Sequence, residues 1–155
     1  MLNDKKIIAI VPIKTNNSRF PGKNTKMLSN GKPLISFILR TLLEISYLDD
    51  VVVYCSDVNI KEFLPQGVSF MQRDTSLDTD LTTMNDILLS FSKYYDSDIY
   101  LLTHATSPLT RKESIDTALK KVVIGNYDSS FSASLIKKFI WFNPNSTFFE
   151  SGSTS

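Results

Sequence analysis

Three cations crowd into one short polar stretch. Lys14, Arg19 and Lys23 stand among Asn16, Asn17, Ser18 and Asn24, and a Pro21–Gly22 turn divides them. Ammonium and guanidinium groups neutralise phosphate oxygens, while amides and backbone N–H groups orient them. The expected ligand is a nucleotide triphosphate. The P-loop pattern GxxxxGK[ST] is not met: Asn17 stands where its first Gly belongs and Asn24 where Ser or Thr belongs. The dinucleotide pattern GxGxxG is not met either, because Gly22 is the first glycine of the chain and Gly31 the next. His104 is the only histidine. An imidazole there serves as a structural hydrogen bonder, as a ligand contact, or as a proton acceptor near neutral pH. Asp57, Asp78 and Asp80 offer carboxylates to a metal, and Asp57 is equally placed to cap a helix.

These residues need elements to hold them. Lys6 to Pro12 is apolar and β-branched, as in a parallel strand covered on both faces, and Ile13 to Lys32 is the loop that follows. Asn30–Gly31 signals a turn, and Pro33 suits the first position of a helix. That helix carries Leu34, Ile35, Ile38, Leu39, Leu42 and Leu43 on one face. Val51 to Tyr54 reads as a second strand, Val58 to Leu64 as a short helix capped by Ser56 or Asp57, and Val68 to Met71 as a third strand. The polar loop Gln72 to Asp80 leads to a helix capped by Thr82 or Thr83, with Met84, Ile87, Leu88 and Phe91 on its face. Ile99 to Leu102 is a fourth strand, Thr103 to Thr110 a loop, and Arg111 to Val123 a helix. After a turn at Asn126–Tyr127, Ser129 to Leu135 alternates as a half-exposed strand does. Phe139 to Phe149 is rich in aromatics without a clear period, and the final polar residues are expected to be disordered.

Strands alternating with helices predict an α/β fold: a Rossmann-like three-layer αβα sandwich with a mainly parallel sheet. Ligands of such sheets bind beyond the carboxyl ends of the strands. The loops from Lys14, Ser56, Gln72 and Thr103 all fall on that rim.

The bulk numbers agree. The chain has 155 residues, 42% hydrophobic and 21% charged, with a net charge of +1. One domain of this size buries enough surface to fold without disulfides. A balanced charge disfavours a dedicated nucleic-acid binder. Cys55 is the only cysteine and ends an apolar run, as a buried thiol does. No signal peptide and no apolar run long enough for a membrane span are seen, so a cytoplasmic protein is expected.

The stretch VPIKTNNSRFPGKNTKML resembles the opening motif of the acylneuraminate cytidylyltransferase family, which usually reads like PARGGSKRIPGKNIKPL. This family comprises the CMP–sialic acid synthetases and their KDO, pseudaminate and legionaminate relatives. Five further stretches follow in the family's order: GKPLISFIL at its first helix, VVVYCSD, SLDTDLTTMNDIL, LLTHATSPLT and FSASLIKKFIW. The resemblance covers about residues 7 to 141.

It implies a nucleotide-diphospho-sugar transferase type of fold. It also implies transfer of CMP from CTP, with Mg²⁺, to an acidic α-keto acid sugar, releasing pyrophosphate. Lys14 falls on the family's triphosphate-contacting Arg and Lys23 on its motif Lys, and these two are the expected catalytic groups. Asn16, Arg19, Asn24, Arg73, Asp80 and Thr83 complete the implied nucleotide site. Asp80 is also the implied metal ligand, with the remaining ligands expected outside this chain. His104, Thr106 and Ser107 fall on the sugar-contacting motif. Several positions depart from the family: Lys14 replaces Arg, Asn17–Ser18 replaces Ser–Lys, His104 replaces Gln, Ala105 replaces Pro and Thr110 replaces Arg. Members are longer than this chain. Residues 1–138 are therefore read as the nucleotidyltransferase domain, and 139–155 as the start of a sugar-binding and dimerisation region. A homodimer with no nucleic-acid or membrane partner is expected. The alternatives are an impaired or truncated nucleotide-binding module without turnover, or a nucleotidyltransferase for another base or sugar.

Overall fold

The computed structural model describes residues 2, 4–15, 20–135, 140–142 and 149–151. Four parallel strands form its sheet: β1 (Ile7–Ile13), β2 (Asp50–Cys55), β3 (Ser69–Gln72) and β4 (Ile99–Leu102), in the order β3-β2-β1-β4. The helices are α1 (Ile35–Leu43), α2 (Met84–Ser92) and α3 (Lys112–Val123), with 3₁₀ turns at Val58–Phe63 and Thr75–Asp78. A short antiparallel pair, β5 (Ile140–Phe142) with β6 (Phe149–Ser151), follows.

Pleating sends alternate residues of β1 to opposite faces. Ile7, Ala9, Val11 and Ile13 pack with α1 (Ile35, Ile38, Leu39, Leu42) and α3 (Ile115, Leu119). Ile8 and Ile10 pack with Val52, Tyr54 and α2's Ile87 and Phe91. That is the three-layer αβα sandwich, with β1 buried on both faces.

The strand order places the ligand end. The chain builds outward from β1 to β2 and β3, then returns to the other side of β1 for β4. The order reverses between β1 and β4, and a crevice opens at such a switch point beyond the carboxyl ends. The amino ends are closed by carboxylates: the Ile7 amide donates to Asp49 and the Lys6 amide to Asp98, each at 2.8 Å.

Two expectations differ. Helix α1 begins at Ile35, and Pro33 lies outside it in a bridge with Met27. Loop carbonyls cap α1 in its place. Asn24 O accepts from the Ile35 amide at 2.9 Å, and Lys26 O from the Leu34 amide at 3.2 Å. Residues 129–135 form no strand, and Phe131 and Leu135 are 85% and 84% exposed. Their alternation needs a ladder partner to take effect. Asp128 to Ser130 run beside β4's outer edge, but a cavity of about 320 Å³ separates the two. The final residues 152–155 lie outside those described. Of the aromatic stretch from Phe139 to Phe149, only the β5–β6 backbone is described. Among the described residues, no helix is long and apolar enough to cross a membrane.

Candidate functional site

Lys14 is the first residue after β1 and reaches across the rim. Its Nζ lies 2.9 Å from Asp80 Oδ1. The hydrogen bond from Lys14 holds the Asp80 carboxyl below the usual carboxylate range. Sequence positions 66 apart are therefore joined by one contact at the carboxyl end of the sheet.

Beneath this pair lies a second one. Arg73 is 3% exposed. Its Nη2 donates to Ile13 O, the last carbonyl of β1, at 3.0 Å, and also pairs with Asp78. Its guanidinium sits 5.8 Å from the centroid of the Tyr54 ring. Its backbone amide donates to Cys55 O at 2.9 Å, so β2 fixes its start. Arg73 Nε is buried without a hydrogen-bond partner among the described residues. Asp74 caps the 3₁₀ turn that brings Asp78 into place, accepting from the Ser76 amide at 2.8 Å. Sequence reasoning held Asp78 only as a metal candidate. The signal for its real partner was the capped D-T-S-L-D turn directly after Arg73.

Asn24 is 6% exposed and folds the cationic loop back on β1: its Nδ2 donates to Lys14 O at 3.4 Å. Its Oδ1 is buried without a partner among the described residues. Gly22 makes this return possible with φ +68°, a left-handed conformation that side chains disfavour. Lys23 follows it and is half-buried. A pocket of about 210 Å³ opens between this loop and the 58–63 turn, lined by Thr15, Gly22, Asn24, Thr25, Asp57 and Asn59. Asp57 caps that turn by accepting from the Asn59 amide at 3.0 Å. Asn16 and Arg19 lie outside the described residues.

Thr83 is placed on the rim side of α2, and its hydroxyl works in a capping box. It accepts from the Asp86 amide at 3.2 Å, while Asp86 accepts from the Thr83 amide at 2.8 Å. Thr83→Ala removes the cap and should lower stability by about 1 kcal/mol, read by urea unfolding at neutral pH. The hydrogen bond from Thr83 holds the Asp86 carboxyl below the usual carboxylate range. That contribution is present above the ordinary carboxylate range and is lost as pH falls through the depressed folded-state value. The Thr83→Ala penalty should therefore shrink in acid.

His104, Thr106 and Ser107 are exposed on the β4–α3 loop. Thr103, directly after β4, donates its amide to Ile10 O at 3.1 Å, which holds the start of this loop against β1. His104 and Ser107 line a cavity of about 160 Å³ with Thr103, Thr110 and Ser114. The structure thus joins Lys14, Asn24 and Asp80 by direct contacts, with Arg73 on the carbonyl of the adjoining Ile13. It sets His104 on the neighbouring strand end. Among the described residues, no group of three or more His, Cys, Asp or Glu is arranged to hold a metal. Of the three carboxylates read as metal candidates, Asp57 caps the 58–63 turn, and Asp78 and Asp80 are each engaged by a cation. The described residues therefore do not assemble a Mg²⁺ site by themselves.

Comparison with known proteins fits this geometry. Residues 8–147 match the family described as cytidylyltransferase. The chain is 31% identical over 137 residues to the N-acylneuraminate cytidylyltransferase of Streptococcus agalactiae serotype V, covering 86% of this chain and 33% of that protein. It is 32% identical over 124 residues to the CMP-N,N'-diacetyllegionaminic acid synthase of Legionella pneumophila, covering 74% of this chain and 52% of that protein. The chain thus spans between a third and about half the length of these relatives. In fold it is similar to CMP:2-keto-3-deoxy-manno-octonic acid synthetase solved with CTP, with a TM-score of 0.66 at 22% identity over 76% of this chain and 47% of that one. With a match that spans both cationic rim and αβα core, the chain belongs to the cytidylyltransferase family.

Proposed function

We propose that this chain supplies the CTP-binding part of an enzyme that transfers CMP to an acidic α-keto acid sugar of the sialic acid or KDO type. The observation that carries this reading is the cationic rim itself, Lys14 with Asn24 and Lys23 at the carboxyl end of β1, inside the stretch that matches the family. In the reaction a sugar hydroxyl oxygen bonds to the α-phosphorus of CTP. The bond from that phosphorus to the bridging oxygen of the β-phosphate breaks, and pyrophosphate leaves. Charge moves onto the departing pyrophosphate, so fixed cations at Lys14 and Lys23 act where it accumulates. His104 is the rim group suited to accept the hydroxyl proton near neutral pH. Mg²⁺ accompanies CTP in this reading; Asp80, freed when a phosphate takes Lys14, would be one ligand, with the others from outside the described residues. Residues 1–138 form the nucleotide-binding part. Residues 139–155 open the region that completes the sugar pocket and a homodimer.

Pyrophosphate release is the test. The chain is incubated with CTP, Mg²⁺ and, in turn, N-acetylneuraminate, a legionaminate, a pseudaminate and KDO. Release with one of these sugars, and none with ATP in place of CTP, is the expected result. CTP binding without release for any sugar would restrict the chain to nucleotide binding.

A further inference from the structure

The end of β1 is tied to one loop by the Lys14–Asp80 ion pair and by a hydrogen bond from Arg73, which is itself ion-paired to Asp78 within that loop. The outer pair is Lys14 with Asp80, whose side chains are 31% and 91% exposed. The inner pair is Arg73 with Asp78, at 1% and 22%. The acidic partners stand two residues apart, Asp78 as the last residue of the 3₁₀ turn Thr75–Asp78 and Asp80 just beyond it. The basic partners converge on one peptide group. Arg73 Nη2 holds the Ile13 carbonyl, and that planar unit also carries the Lys14 amide. Fixing the carbonyl fixes the direction in which Lys14 leaves the strand.

The inner pair has the means to do this. Arg73 is anchored at its backbone by Cys55 O and packed over the Tyr54 ring. Tyr54 is itself held, with its hydroxyl 2.9 Å from Ser90 Oγ of α2. Only Asp78 supplies charge to the guanidinium among the ion pairs of the described residues. The outer pair is of the opposite kind. Asp80 is open to water, which screens it, so a polyanion can take Lys14 from it.

We propose that Asp78 is a positioning residue: by holding Arg73 against the last carbonyl of β1, it sets the reach of Lys14 and so the affinity of the rim for a polyphosphate. The proposal rests on the reading of this rim as the triphosphate site. Misplacing a charged contact by about 1 Å is enough to lose it.

Inorganic tripolyphosphate separates this role from base recognition, because it has no base. Calorimetric titrations with tripolyphosphate and with CTP are run on the wild type, Asp78→Asn, Asp78→Glu and the double variant Arg73→Met/Asp78→Leu, with circular dichroism to establish folding. Asp78→Asn should bind both ligands about tenfold more weakly. Asp78→Glu, which keeps the charge, should recover most of that loss. The double variant removes the buried guanidinium and its half-buried partner together, a change that folds tolerate far better than removing one charge of a pair. It should show the same loss toward tripolyphosphate, and it carries the test if Asp78→Asn does not fold. A folded variant with a lower melting temperature but unchanged tripolyphosphate affinity would overturn the proposal. A loss confined to CTP would also overturn it, by giving Arg73 to the base or ribose. A wild type that binds neither anion would overturn the rim reading beneath it, and that outcome is visible before any variant is made.

Discussion

Lys14→Ala should weaken CTP binding by about ten- to a hundredfold, the loss of one charge-assisted phosphate contact worth about 1.5–3 kcal/mol. The reason is placement. Lys14 follows β1 directly, and Asn24 holds its backbone carbonyl, so the ammonium is delivered to the rim by a strand buried everywhere but at Pro12. It is paired with Asp80, a carboxylate in water. A triphosphate brings several charges against that single one, and its hold on Lys14 should weaken with added salt, as exposed charge pairs do. Lys14→Arg keeps the charge and adds a planar fork, so its affinity should stay within a few-fold of the wild type. Titration calorimetry reads both. An Ala variant that binds like the wild type would remove Lys14 from the site.

The second large effect is on the fold. Phe91→Ala should destabilise the protein by about 3–5 kcal/mol, the usual cost of emptying an aromatic core position. Phe91 is fully buried. Its ring lies 5.4 Å from Tyr54, 5.1 Å from Tyr95 and 6.1 Å from Tyr100, centroid to centroid. With Ile87 it is the contact by which α2 closes the second face of the sheet. Urea unfolding followed by circular dichroism gives the value. Against a total stability of about 5–15 kcal/mol for a domain, the variant should be markedly less stable or unfolded. Tyr54 also lies under Arg73, so CTP binding should fall along with stability.

Most of the fold was legible because burial writes itself into residue type. The run from Ile7 to Ile13 is apolar at nearly every position because α1 and α3 cover one face and α2 the other. The caps were legible to within one residue, as Thr82 or Thr83 and as Ser56 or Asp57, because short polar side chains before an apolar repeat favour that place; the fold uses Thr83 and Asp57. The strand expected over Ser129 to Leu135 was not formed, because alternation specifies a face and not a partner. Here β4's outer edge stands apart from it. Pro33 misled for a related reason. Its fixed φ suits a helix start, but the carbonyls of Asn24 and Lys26 already satisfied the first amides of α1 and set the boundary later.

At the site, the cations were legible and their partners were not. Lys14, Lys23 and Asn24 declared themselves by sitting together after a strand. The pairing of Lys14 with Asp80 depends on how β1 and the loop after β3 meet in space, and no local pattern encodes it. Arg73 drew notice through a family motif, yet its buried pairing with Asp78 emerged only from the folded chain.

The central claim is that the rim beyond β1 binds CTP. Its most direct test is titration of CTP into the folded wild-type chain, with ATP as the control and Lys14→Ala as the comparison. Saturable binding of CTP, weaker binding of ATP, and a loss of about tenfold or more in the variant are the results predicted here. Folded wild-type protein that takes up no CTP, or a Lys14→Ala variant that binds it unchanged, would contradict the account.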